Sequence, residues 1–294
     1  MSSAVISDTV IRDAAARGRS PRVKRPSNGL THTVLAIGSL LMIFPFVWQI
    51  IMSLSTNAQV TSVPPSFWPG ELHPENFAHV FDQLPFVNQL WVSVAVTLIR
   101  TIGQIILCSM AGYAFARMEF PFKRLIFGLV LAILMVPPQV YLLPQYQIVQ
   151  GLGWLNTIIG IASPGVFSAF GTFLMRQFFL GLPDELAEAA RLDGASHFQT
   201  FWKIMLPLAK PGLSALAIIT VLASWNDLLW PLIVATDSTQ MPLSAGIATL
   251  TGSRSIPDYP LLLAASLMAM APVLILFLVM QRRVIDGIAF SGMK

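Results

Sequence analysis

The sequence predicts an all-α membrane protein with six transmembrane helices, and three observations lead to this fold class. The 294-residue chain is 55% hydrophobic and only 11% charged, whereas a soluble domain carries about 25% charged residues. Six stretches are apolar over the length of roughly 20 residues that a helix needs to cross a bilayer. Lys and Arg are concentrated in the segments on one side of those stretches.

Several prolines lie within the six predicted spans or close to their ends. Pro45 lies inside the first span, where neighbouring helices can satisfy the carbonyl that it leaves free. Pro137, Pro138 and Pro144 are expected to break the third span. The predicted spans cover residues 33–54, 88–117, 125–143, 155–174, 212–235 and 259–280.

Basic residues orient these spans. Of the 18 Lys and Arg residues, only Arg100 and Arg254 fall outside four basic segments. Because successive spans cross the membrane in alternating directions, these four segments lie on the same side. Cytoplasmic loops are enriched in Lys and Arg, so both termini and the segment 182–207 are predicted to be cytoplasmic, in a multi-pass protein of the bacterial inner membrane. The four basic segments are 1–30, 117–124, 176–210 and 282–294.

Residues 1–30 are predicted to be a basic cytoplasmic tail, and residues 31–294 the membrane domain. The tail lacks the apolar centre of a cleavable signal peptide. The net charge of +4 does not indicate nucleic-acid binding, because the basic residues lie beside apolar spans, as membrane topology requires. The single cysteine, Cys108, excludes an intrachain disulfide.

Sequence motifs for catalysis and for metal binding are absent. There is no G-x-x-x-x-G-K-[ST] phosphate loop, so the chain is not expected to hydrolyse ATP, and H-E-x-x-H and G-x-S-x-G are also missing. The four histidines show no metal-ligand spacing. Few charges lie within the spans, which disfavours a proton relay. These observations favour a transport subunit driven by a partner over an enzyme or a secondary transporter.

The segment 182–207 mixes both signs of charge with apolar residues at helical spacing. Asp184 is expected to cap a helix, with Glu185 and Glu188 in its early turns, where carboxylates suit the helix dipole. Leu186, Ala189 and Ala190 are expected to share one face of that helix. Gly194 supplies the left-handed residue that ends it.

A second short helix is predicted to follow. Ser196 and Gln199 form an S-x-x-Q capping box, and Pro207 is expected to end the helix. The two helices are predicted to form a docking element; the alternative is an amphipathic loop lying on the bilayer surface. The apolar stripe of the second helix consists of Phe198, Phe201, Trp202 and Met205.

The same segment matches the pattern EAA-x3-G-x9-I-x-L-P at every named position. It resembles the cytoplasmic motif of type I permease subunits in binding-protein-dependent ABC importers. AGYAFARMEFP (111–121) and SWNDLLWPL (224–232) are similar to the carbohydrate branch, the maltose and glycerol-phosphate permeases. The resemblance implies an importer for a sugar, polyol or glycerol-phosphate-type solute; an amino-acid or peptide permease is the alternative.

The resemblance also implies partners for this chain. Residues 184–193 would form the coupling helix that sits in a groove of the ATP-hydrolysing subunit, with Gly194 as its turn. The complex would contain a second related permease, two ATP-binding subunits that use ATP and Mg, and an extracytoplasmic solute-binding protein. No cofactor is expected on this chain. The residues with an implied coupling role are Asp184, Glu185, Glu188, Ala189, Ala190, Arg191, Asp193, Gly194, Ile204, Leu206 and Pro207.

Two intramembrane charges and a group of aromatic residues are candidates for the substrate pathway. Arg100 lies inside the second span and Asp227 in the outer part of the fifth; such charges are costly and suggest a functional site. They either pair across the pathway or meet water or backbone separately. Trp225, Asn226 and Trp230 offer an aromatic face and an amide for a sugar, although tryptophans near an interface more often anchor a helix in the bilayer.

Overall fold

The computed structural model describes residues 29–64, 68, 70–252 and 257–289, with side chains as far as Leu278. This part of the chain is helical and contains no strand, which confirms the predicted all-α class. Most of the predicted basic tail 1–30 lies outside the described part, which includes only its last two residues. Arg254 and the side chains of the C-terminal basic residues also lie outside it.

The chain divides into two compact units between Trp48 and Gln49. The described residues of the first unit all belong to one helix, and the second unit holds the remaining helices. In chain order the helices are α1 Gly29–Ser53, α2 Asn57–Val60, α3 Glu75–Gln83, α4 Phe86–Arg117, α5 Lys123–Ala132, α6 Leu142–Gly151, α7 Ile158–Ala162, α8 Ala169–Leu180, α9 Glu185–Leu192, α10 His197–Thr200, α11 Leu206–Leu208, α12 Lys210–Trp225, α13 Leu229–Val234, α14 Leu243–Gly252 and α15 Tyr259–Ala289.

Three described helices are long and apolar enough to cross a membrane, and the number rises to six if each of three bent pairs forms one span. The three long helices are α1, α4 and the part of α15 from Tyr259 to Leu278. The bent pairs are Lys123–Met135 with Pro138–Gly151 at 99°, Ile158–Gly165 with Ala169–Leu180 at 46°, and His197–Leu208 with Lys210–Trp225 at 77°.

The stretch predicted as the third span, 125–143, is therefore not one straight helix. Val136 is extended, with φ −90° and ψ 120°, because a residue that precedes proline is pushed out of the helical region. The chain changes direction at Pro137 and Pro138. Pro144 does not break the chain as predicted, since it lies in the first turn of α6, where its missing N–H would be unpaired in any helix.

The predicted fourth and fifth spans also differ from the observed helices. The hydroxyls of Thr157 and Ser168 each cap a new helix by accepting from the N–H three residues on, at 3.0 and 3.1 Å. The break between them replaces the continuous helix predicted over 155–174. The predicted helix over 212–235 ends at Trp225 instead, and α14 was not predicted because its ten residues are too few for a span.

Helices α4, α8 and α12 pack closely because glycines line their contacts. A Cβ added at Gly112 on α4 would lie 2.7 Å from the Met175 Cβ and 2.9 Å from the Arg176 amide nitrogen on α8. A Cβ at Gly212 on α12 would lie 2.5 Å from the Phe178 ring. Without a hydrophobic driving force in lipid, such close approach of backbones is a main source of helix association.

We expect Gly112→Ala to destabilise the protein, because its methyl group would meet the α8 backbone. Overpacking of this kind typically costs about 1–3 kcal/mol. Gly128→Ala is the matched control: Gly128 is also helical, but a Cβ there meets nothing within 4 Å. Thermal unfolding of the purified protein should give a lower Tm for Gly112→Ala and an equal or higher Tm for Gly128→Ala. Equal effects of the two changes would contradict the close packing of α4 on α8.

Candidate functional site

Helix α9 begins and ends as the sequence indicates, with one difference at its start. Asp184 occupies the N-cap position, but its side chain accepts no capping hydrogen bond; its carboxylate instead forms an ion pair with Arg117. At the other end Gly194 has φ +80°. The Ala195 N–H donates to the Ala190 carbonyl at 2.9 Å and the Gly194 N–H to the Arg191 carbonyl at 3.0 Å, which is a Schellman motif.

The two faces of α9 have different surroundings. Ala187 and Ala190 are 6% and 4% exposed, and Ala187 belongs to a core cluster with residues of α4, α8 and α12. Of Leu186, Ala189 and Ala190, which were predicted to share one face, only Ala190 is buried, so the buried side of α9 is formed by Ala187 and Ala190. The exposed residues of α9 and its C-terminal turn include Glu185, Glu188, Ala189, Arg191, Leu192, Asp193 and Gly194.

The second half of the segment departs from the predicted stripe. The capping box is present, with Ser196 N–H to Gln199 Oε1 at 2.9 Å. Residues 201–205 then form a π-helical turn, whose wider period separates side chains that an α-helix would align. Phe201 and Met205 are buried, whereas Phe198 and Trp202 are 63% and 42% exposed.

Pro207 does not end the second helix as predicted. It lies in α11, which continues to Leu208, and the chain changes direction at Ala209. Ile204 and Leu206 are half-buried and Pro207 is exposed, and Leu206 packs against the cluster that contains Phe201 and Met205.

Arg117 attaches this segment to the bundle, a role that the sequence did not reveal. It is the last residue of α4. Its Nη2 donates to the Phe179 carbonyl at 2.7 Å and also to the Leu182 carbonyl, Nε donates to the Phe179 carbonyl at 3.1 Å, and Nη1 pairs with Asp184. One guanidinium therefore binds the carbonyls at the C-terminal end of α8 and the start of α9.

Three aromatic rings form a second connection. Tyr113 of α4, Phe179 of α8 and Phe201 of the π-helical turn have pairwise centroid distances of 5.2 to 6.2 Å. Phe179 and Phe201 are almost fully buried. Contacts at these distances are favourable beyond simple burial, so the segment 182–207 is attached firmly to α4 and α8.

Arg100 and Asp227 form an ion pair, with 2.8 Å between Nη1 and Oδ2. Of the two alternatives left open by the sequence, the structure therefore shows direct pairing and not separate contacts with water or backbone. The Arg100 Nη2 also donates to the Ile161 carbonyl at 2.7 Å, and its side chain is 8% exposed, against 24% for Asp227. A Cβ at Gly165 would lie 2.5 Å from Arg100 Nε, so a side chain at this position would displace the guanidinium.

Of the residues predicted to offer an aromatic face and an amide to a sugar, Trp230 is buried, whereas Trp225 is half-buried and Asn226 is exposed. Trp230 is 5% exposed and donates its indole N–H to the Gly160 carbonyl at 3.2 Å, while Trp225 donates to the Ala269 carbonyl at 3.1 Å. The Asn226 amide donates to Leu222 at the end of α12, at 2.8 Å. Trp230 is therefore a core residue, and contacts with further subunits can only reduce its exposure.

At the end of the bundle opposite α9, Asn156 fixes the loop after α13. Its Oδ1 accepts from the N–H groups of Thr236 and Asp237 at 2.7 and 2.8 Å. The Thr239 N–H and hydroxyl bind the Asp237 carboxylate and hold its pKa below the usual range. The loop therefore has a defined shape, although the sequence contains no motif that indicates it.

Comparisons with known proteins agree with this architecture. The family model described as binding-protein-dependent transport system inner membrane component matches residues 104–288. The sn-glycerol-3-phosphate transport system permease protein UgpE of Yersinia enterocolitica is 35% identical over 267 residues, with 88% of this chain and 95% of the relative covered. The arabinooligosaccharides transport system permease protein AraQ of Halalkalibacterium halodurans is 35% identical over 283 residues, with 92% and 100% covered.

A solved structure has the same fold. It is a chain of a bacterial ABC transporter involved in the import of the acidic polysaccharide alginate, with a TM-score of 0.74 and 22% identity over 90% of this chain and 98% of that one. Fold and relatives together define a membrane permease of ABC importers, which is not itself an enzyme. The chain belongs to the family of binding-protein-dependent transport system inner membrane components.

We expect the Arg100→Leu and Asp227→Leu changes to be non-additive. Asp227→Leu leaves a buried guanidinium without its carboxylate, a loss that costs about 3–5 kcal/mol in buried pairs. The double variant should therefore be more stable than the sum predicts, by roughly 0.5–3 kcal/mol. Unfolding of the purified protein measures the cycle, with Asp227→Asn as the control that removes charge and retains shape. Additive single effects would show that the pair contributes nothing.

Proposed function

We propose that this chain forms half of the translocation pathway of an ATP-driven importer for a sugar, polyol or glycerol-phosphate-type solute. A second related permease would form the other half, two ATP-binding subunits would supply energy from ATP and Mg, and an extracytoplasmic protein would deliver the solute. The relatives support the solute class, since one is named for sn-glycerol-3-phosphate and another for arabinooligosaccharides.

The observation that carries the coupling role is the asymmetry of α9. Its alanine face is buried against the bundle, while Glu185, Glu188 and Arg191 are exposed. A polar helix held rigidly on one side presents directional groups to a partner at little entropic cost. We assign the ATPase contact to the exposed residues, and we assign Ala190 to attachment within the chain.

Motion of α9 would reach the spans through Arg117 and the three-ring cluster. Arg117 connects Asp184 to the end of α4, and Phe201 contacts Tyr113 of α4 and Phe179 of α8. Closure of the ATPase would therefore displace α4 and α8 together. The positive-inside rule supports a cytoplasmic location for this end of the bundle and for both termini.

The pathway itself is assigned to the interior faces of α4 and α12. Arg100 and Asp227 join these regions, and Gln104 accepts from the Thr220 hydroxyl at 2.8 Å one turn away. The Ser224 hydroxyl between them is buried without a partner among the described residues. A group left unpaired in one state is available to a solute or water when the helices separate.

The solute class is tested with the solute-binding protein of the same importer. Sugars, polyols and glycerol phosphates are screened for a shift in its Tm, since a ligand at 100 times its Kd stabilises by about 2.7 kcal/mol. ATP-dependent uptake of the hit into vesicles that hold the complete importer then tests transport. A binding protein that responds only to amino acids or peptides would refute the proposed class.

We expect Gly194→Asp to abolish uptake and leave membrane insertion intact. A side chain there meets nothing within 4 Å and is strained only by the positive φ of +80°, but it adds bulk and charge where the partner would dock. Gly153→Asp is the matched control, because Gly153 is also exposed, has φ +71° and has open space, in a turn far along the chain. Uptake and ATPase co-purification are measured for both; normal uptake by Gly194→Asp would contradict the coupling role.

A further inference from the structure

A cavity of about 720 Å³ opens at the same end of the bundle as α9, but on a different part of its surface. It lies between the end of α4, the turn that precedes α5, the first residues of α5 and the second half of α8. Neither the coupling segment nor the Arg100–Asp227 pair contributes to its walls. The lining includes Phe115, Lys123, Arg124, Phe127 and Arg176.

Arg176 is the most constrained basic residue of this cavity. Its guanidinium carbon lies 4.5 Å from the centre of the Phe127 ring, and its Nε donates to the Phe115 carbonyl at 3.3 Å. Stacking on a ring fixes the plane of the guanidinium. Among the residues that the structure describes, no acceptor contacts its two terminal nitrogens. They remain available to bind an anion in a forked geometry.

The start of α5 adds further positive charge. Lys123 donates to the Met118 carbonyl at 2.7 Å and pairs with Glu119 at 3.1 Å, while Arg124 is exposed and has no ion-pair partner in the described part of the chain. The single lining acid, Glu119, is 92% exposed and is already paired. The cavity therefore keeps two uncompensated guanidinium groups.

Apolar side chains continue outward from this basic cavity along α5. Phe122, Leu125 and Leu129 are 75%, 60% and 60% exposed, and α5 is half of one of the bent apolar pairs. A charged pocket that passes directly into an exposed apolar helix surface fits an amphiphile, with its head in the pocket and its chains on the helix. A soluble phosphate would occupy only the charged pocket and leave the apolar surface of α5 uncovered.

We propose that this cavity binds the phosphate headgroup of an anionic phospholipid, with its acyl chains along α5. Basic pockets at the cytoplasmic side of membrane helices bind such headgroups. The assignment of this lipid to the cytoplasmic leaflet rests on the proposed orientation, which places this end of the bundle in the cytoplasm. The binding site itself does not depend on that orientation. A bound lipid would brace the turn between α4 and α5 beside Arg117, whose α4 helix also carries Phe115.

Native mass spectrometry of the complete importer, purified from nanodiscs of phosphatidylethanolamine and phosphatidylglycerol, tests this site. The double change Arg124→Gln and Arg176→Gln should lower retained phosphatidylglycerol, by roughly fivefold for each charge removed. Lys203→Gln with Lys210→Gln is the matched control, since both lysines are exposed in the same region and neither lines the cavity. Arg124→Gln alone, at an exposed position, provides the reading if the double variant does not assemble.

An equal loss in the control pair would overturn the proposal, because it would show a general effect of surface charge. The proposal would also be overturned if neither cavity variant lost phosphatidylglycerol. The same holds if the unchanged importer retained phosphatidylethanolamine and phosphatidylglycerol equally. Displacement of the lipid by millimolar inorganic phosphate would identify a soluble anion as the ligand instead. Labelling of an engineered cysteine from each side of the membrane tests orientation separately, so failure of the topology and failure of the lipid site are distinguishable.

Discussion

The binding of Arg117 to the ends of two helices is the interaction on which the rest of this structure depends. A helix leaves its last carbonyls unpaired, and the guanidinium of Arg117 binds the carbonyls of Phe179 and Leu182 while it pairs with Asp184. Lysine could not replace it, because one ammonium lacks the fork that reaches several acceptors. The residue that ends α4 thereby fixes where α8 ends and where α9 begins.

The composition of α9 follows from this attachment. Two alanines, Ala187 and Ala190, face the bundle, and their small side chains let the helix lie close to the three-ring cluster. The EAA pattern therefore combines two requirements in adjacent residues: the glutamate, Glu188, is exposed, whereas Ala190 is buried. A larger residue at Ala190 would lift the helix from the bundle, so the pattern provides packing within the chain as well as the proposed docking surface.

Local features were predictable from the sequence, and long-range contacts were not. The Schellman glycine Gly194, the Ser196 capping box and the all-α class each depend on residues a few positions apart. Arg117 contacts residues more than sixty positions away, so the sequence alone indicates only its contribution to membrane topology. The stripe of the second helix failed for a different reason: the prediction assumed 3.6 residues per turn, and the π-helical turn does not have that period.

The break after α12 shows how an intramembrane charge and a helix end support each other. Asp227 lies where α12 has stopped, and Asn226 satisfies the Leu222 carbonyl. The broken backbone leaves Asp227 free to face Arg100, and the ion pair in turn offsets the cost of both charges in a low-dielectric interior. Because Arg100 is also held by the Ile161 carbonyl, the pair ties α4 to both the fourth and the fifth hydrophobic segments. Helices that are joined by such a pair can separate only if the charges find water or a polar solute, which is the condition that a gated pathway must impose.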